Sequence, residues 1–78
     1  MRVIVKYFGY LSDYAGGREQ VVNAAEGSRI RDVIKLPPDV SIEDLVILRN
    51  GRPAKPDEEV QDGDTISVLP HISGGQPS

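Results

Sequence analysis

Cysteine is absent from the chain, and histidine occurs once, at position 71. Without thiols, neither a disulfide framework nor a thiolate metal site can brace the fold. Cys/His zinc sites and Cys–His catalysis are excluded for the same reason. No apolar run approaches the roughly 20 residues that cross a bilayer as a helix, so no membrane partner is expected. Basic residues are in the minority, 9 against 12 acidic ones, for a net charge of −3. The chain therefore lacks the overall positive footprint of a general nucleic-acid binder. Arg49, Arg52 and Lys55 fall close together, as a local basic patch or as the solvated edge of a hairpin. The solvated edge is the expectation. The first residues, Met1-Arg2-Val3-Ile4-Val5-Lys6-Tyr7, carry charge among apolar residues and no segment of small residues suited to cleavage. They read as a strand and not as a signal peptide, and a soluble cytoplasmic protein is the simplest expectation. At 78 residues the chain is one small domain, burying only roughly 60–65% of its unfolded surface.

What is present is punctuated clearly. Residues 2–8 are β-branched and aromatic, as in a strand central to its sheet. Tyr10 to Ala15 is a short helical turn that Gly16-Gly17 would end. Residues 18–24 read as a second strand. Ser28 is a candidate N-cap for a helix near 28–35, whose Ile30, Val33 and Ile34 share one face. That stripe is expected to be core, and Pro37-Pro38 keeps the helix short. Ser41 is placed to cap one further turn, and residues 45–50 form a strand. Asn50-Gly51 is the favoured pair for a type I′ hairpin. The returning segment 52–55 contains Pro53 and so belongs at a sheet edge. Gln61-Asp62-Gly63-Asp64 is a turn into the last strand, 65–70. No internal repeat or linker interrupts this order. The expected fold class is α+β: a β-grasp, with a mixed sheet of four to five strands and one main helix in the crossover. Its first and last strands should be parallel neighbours.

Past the last strand the chain reads Leu69-Pro70-His71-Ile72-Ser73-Gly74-Gly75-Gln76-Pro77-Ser78. Two glycines without Cβ atoms let a backbone lie in a channel too narrow for side chains. Another enzyme would need that access to act on a terminal carboxyl group. Alone, the pair also fits a frayed terminus.

The order of Tyr7-Phe8-Gly9-Tyr10-Leu11, Ala15-Gly16, Gly27-Ser28 with Asp32-Val33, Asn50-Gly51, Asp62-Gly63-Asp64 and Ile72-Ser73-Gly74-Gly75 resembles the ubiquitin-like sulfur carriers. These form the MoaD/ThiS family, and the match is to the small subunit of molybdopterin synthase in particular. The thiamine-pathway carrier matches less well, since it usually lacks the helical turn after strand one. The resemblance covers Met1 to Gly75. It implies a carrier that is not itself an enzyme, with no catalytic side chain, cofactor or metal. Gly75 would be adenylated and then converted to a thiocarboxylate. Gly74, Ser73 and Ile72 would be recognised as the tail, and Leu69, Pro70 and His71 would serve partner docking. Leu69 is equally readable as half-buried packing, and His71 as an exposed arm residue. The implied partners are an ATP-dependent, ubiquitin-activating-like adenylyltransferase, a sulfur donor and the large subunit of molybdopterin synthase.

Gln76-Pro77-Ser78 departs from the family pattern, which usually ends at the second glycine. With Gly75 locked in an amide, the residues fit a pro-form trimmed by a processing peptidase, a decayed relative, or an appended non-native extension. The pro-form is the expectation. Residues 1–72 are then the β-grasp domain, and 73–78 an arm making few contacts with it. Rival readings remain: a protein modifier conjugated through Gly75, or an inert ubiquitin-like interaction module.

Overall fold

Alternation along the first strand sets the architecture. In β1 (Arg2–Tyr7), Val3, Val5 and Tyr7 are buried, while Arg2, Ile4 and Lys6 occupy the opposite face. The computed structural model describes residues 1–71. The expectations for Ile72, Ser73, Gly74, Gly75 and the 76–78 extension, and for an arm beginning at 73, lie outside the described residues. Four further strands join β1: β2 (Glu19–Asn23), β3 (Leu45–Arg49), β4 (Arg52–Pro53) and β5 (Thr65–Pro70). Their order in the sheet is β2-β1-β5-β3-β4. β1 and β5 run parallel at the centre, and the remaining pairs are antiparallel. This is the expected β-grasp. β4 is shorter than the 52–55 segment foreseen, although the Ala54 N–H still reaches the Ile47 carbonyl at 2.9 Å.

Among the described residues, one face of the sheet is covered and the other is open. Val3, Val5, Tyr7, Ile47, Ile66 and Val68 form the covered face. Over them lie Leu11 and Ala15 of α1 (Tyr10–Ala15), Ile30 and Val33 of α2 (Ile30–Val33), and Ala24 and Val60 from loops. Ile34 packs against this core partly buried, as the shared helical face implied. Full burial of a side chain such as Ile30 contributes about 1.5–3 kcal/mol. α1 ends as anticipated, with Gly16 in the left-handed region at φ 87°.

The second helix corrects the expectation of one main helix over 28–35. It spans only Ile30–Val33, with Ile34 already extended. Its cap is Arg29 and not Ser28. The Asp32 carboxylate accepts the Arg29 N–H at 2.9 Å, whereas the Ser28 carbonyl takes the Val60 N–H. Its far end is drawn off by Tyr7, whose buried hydroxyl accepts the Lys35 N–H at 2.9 Å. Burial also pushes the Tyr7 phenol above its ordinary pKa, against the opposing effect of that hydrogen bond. A three-residue 3-10 turn follows at Ile42–Asp44 behind Ser41. Ser41 bonds the Glu43 carboxylate at 2.8 Å through its hydroxyl and makes no side-chain cap.

A buried carboxylate ties the two halves of the sheet. Asn50 (φ 54°) and Gly51 (φ 84°) both have the positive φ of the hairpin turn. The Asn50 side chain donates to Asp64 Oδ1 at 2.9 Å and accepts the Thr65 N–H at 2.9 Å. Asp64 Oδ2 accepts the Gln61 N–H at 2.8 Å, and the residue is only 7% exposed. The β3–β4 hairpin is thereby locked to the turn that launches β5.

Candidate functional site

The C-terminal end of β5 is where the predicted docking residues meet the rest of the sheet. Because β5 is central, its end is flanked on both sides. The Phe8 N–H donates to the Val68 carbonyl at 3.1 Å, the last link to the β1 side. On the other side Leu69 pairs with Val46 and Pro70 with Leu45. Val68 faces the core, so the pleat turns Leu69 to the open face. Leu69 is half-buried there. Its register partner Val46 is 38% exposed, and Phe8, which follows the last β1–β5 pair, Tyr7 with Val68, is 45% exposed. The half-burial of Leu69 fits the packing reading given for it.

Gly9 makes the close passage of the chain possible. A Cβ built on it would lie 3.1 Å from Pro70 Cγ and 3.6 Å from Cδ, and its φ of +62° already disfavours side chains. Pro70 is half-buried beside it, and His71 is exposed as an arm residue should be. A shallow groove of about 400 Å³, lined by Tyr7, Phe8, Gly9, Ser12 and Arg18, opens on the β1 side of this root. A second groove, about 450 Å³ between Arg49, Asn50, Arg52, Pro53, Ala54 and Glu58, lies at the other end of the sheet, where β5 begins.

Sequence reasoning grouped Leu69, Pro70 and His71, which form the last two residues of β5 and the one after it. It assigned no role to Phe8, Gly9 or Val46. Gly9 carried a signal, a lone glycine between two aromatics, but the residue it must avoid is 61 positions away (70 − 9). The basic patch is partly neutralised. Arg49 pairs with Glu58 at 3.8 Å and donates to the Glu59 carbonyl at 2.8 Å, as suits a solvated hairpin edge. Among the described residues no cluster of three metal-ligating side chains occurs, and no helix is long and apolar enough to cross a membrane.

The ThiS family model matches residues 5–75. The chain belongs to the ThiS family. This ThiS-family chain is thus a ubiquitin-like protein of the sulfur-carrier group, and the match stops at Gly75, before Gln76. It is similar to the proposed molybdopterin converting factor subunit 1 of Pyrococcus furiosus, at 30% identity and TM-score 0.72. That match covers 92% of this chain and 99% of the other. Small archaeal modifier protein 1 of Haloferax volcanii shares the fold at 20% identity and TM-score 0.72, covering 91% and 98%. Subunit 1–2 complexes of the molybdopterin-converting factor from Helicobacter pylori contain a chain of the same fold. It is 24% identical with TM-score 0.64, covering 96% and 100%.

Proposed function

We propose that this protein is a sulfur carrier that works through its Gly75 carboxyl group once residues 76–78 have been removed. The observation that carries the reading is the extent of the family match, which ends on Gly75. A free carboxylate is a poor electrophile. Attack of its oxygen on the α-phosphate of ATP releases pyrophosphate and leaves an acyl-adenylate. A sulfide equivalent from a donor protein then displaces AMP and gives the thiocarboxylate. None of this chemistry needs a side chain of the carrier. The domain supplies the rim of Phe8, Leu69 and Val46 for an adenylating partner, and Gly9 lets β5 leave the sheet past Pro70. Ile72, Ser73 and Gly74 are the segment that partner would thread. By the same logic, the thiocarboxylate would be delivered to a larger synthase subunit, as the two-subunit Helicobacter pylori complex suggests.

Conjugation to lysines through Gly75 is the second reading, supported by the modifier-like structure among the similar folds. Intact mass measurement of protein from its native host separates these readings. The carrier reading expects loss of Gln76-Pro77-Ser78 and a gain of about 16 Da, oxygen replaced by sulfur. A ladder of conjugates would instead establish the modifier, and an unaltered chain would overturn both.

A further inference from the structure

The two edges of the sheet are not alike. β4, at one edge, has two residues, one of them Pro53, which has no N–H to offer. β2, at the other, runs through Glu19-Gln20-Val21-Val22-Asn23 without proline, lysine or bulge, in unbroken register with β1. Such an edge is the part of a sheet open to a further strand. Its free groups can be assigned. The Tyr7 N–H reaches the Arg18 carbonyl at 2.7 Å, and Met1 and Ala24 exchange two bonds of 2.7 Å. By antiparallel alternation, the even positions from 18 to 24 bond to β1, and Glu19, Val21 and Asn23 aim their N–H and C=O groups away from the sheet.

The side chains of those three residues stand on the open face beside Lys6, Ile4 and Arg2, their partners in register. All three are exposed, and Val21 is 53% exposed. It borders a groove of about 310 Å³ lined by Arg2, Ile4, Val21, Asp62 and Gly63.

We infer that β2 is a self-pairing edge whose partner is the β2 strand of a second copy of this chain, antiparallel and centred on Val21. The complementarity follows from the register. With the two-fold axis at Val21, its N–H and C=O bond those of the second Val21, and Glu19 faces Asn23 of the second copy. Across the joint the open face then reads Ile4, Val21, Val21, Ile4 as one apolar row. The flanking rows read Lys6, Glu19, Asn23, Arg2, so each carboxylate lies between its own Lys6 and the second copy's Asn23. No like charges are opposed across the joint. A parallel partner, or one shifted by two residues, breaks this pattern. The joint lies on the far side of β1 from β3, so the Leu69 and Val46 side of the arm root is free in each copy. One five-residue strand pair buries less than the roughly 1,000 Å² of a stable interface. Association is therefore expected only near protein concentrations on the order of 0.1–1 mM.

Sedimentation equilibrium of the full chain, with amide hydrogen exchange at low and high protein concentration, tests this. The expected result is a reversible dimer in which the amides of Glu19, Val21 and Asn23 gain protection with concentration. Those of Gln20, Val22 and Ala24 should be protected throughout. Val21→Lys, at an exposed position, should weaken the dimer by tenfold or more, whereas Val46→Lys should leave it unchanged. A monomer at every concentration overturns the inference, as does a dimer in which residues 19, 21 and 23 exchange freely. It is equally overturned if those amides gain protection only when an activating enzyme is added, because the edge then belongs to that partner.

Discussion

In a chain that ends at Gly75, replacing that glycine with valine is expected to lower ATP-dependent activation by roughly 100-fold or more, about 2.7 kcal/mol in the barrier. A glycine without a Cβ can enter a channel built for a bare backbone, and a β-branched side chain cannot. The fold should not register the change. Gly75 is five positions (75 − 70) past the end of β5 in the sequence, and the expected shift in stability is no more than about 0.5 kcal/mol. Pyrophosphate exchange with the cognate activating enzyme, alongside urea unfolding of the same variant, separates the two effects. Undiminished exchange would show that the glycine pair is not what the partner selects.

The opposite pattern is expected at Asp64. Asp64→Ala should destabilise the domain by about 2–5 kcal/mol. It removes two hydrogen bonds to a charged group that is itself only 7% exposed, from the Gln61 N–H and the Asn50 amide, each worth roughly 1.5–3 kcal/mol. A chain of 78 residues has a total stability of only about 4–12 kcal/mol, so the variant sits near the folding threshold. Loss of order should begin at the β3–β4 hairpin, because Asn50 would be left holding only the Thr65 amide and carbonyl. Thermal unfolding checks the magnitude. A change below about 1 kcal/mol would mean that water replaces the carboxylate without penalty.

These two residues illustrate what a sequence reader can and cannot see. The strand positions were legible because β-branched runs and punctuating glycines are local signals. Asn50-Gly51 announced its turn. The second helix was misjudged in length because the group that ends it, the Tyr7 hydroxyl, comes from a strand 28 positions away. Ser28 looked like a cap by residue type. In the fold its carbonyl is committed to Val60, and Asp32 serves Arg29 instead. The role of Asp64 was hidden within an ordinary turn motif, since only the return of the hairpin brings Asn50 to it. The apolar rim was half visible. Leu69 could be named from its place before Pro70. Val46 joins it through sheet register and Phe8 through its bond to the Val68 carbonyl, neither of which composition encodes. The open edge of β2 was equally silent, since pairing order decides which strand lies outermost.

The self-pairing of β2 and the chemistry of Gly75 are separable. Chains joined through Val21 would still carry two free arm roots, so failure of the dimer would leave the carrier reading untouched.

Gly75, not Ser78, is the residue proposed to carry the reaction. Pyrophosphate exchange measured side by side on the full chain and on a chain ending at Gly75, with the same activating enzyme, ATP and magnesium, tests it most directly. Exchange is expected for the shorter chain and background for the full one, whose Gly75 carbonyl is held in an amide with Gln76. Equal rates for the two would contradict it.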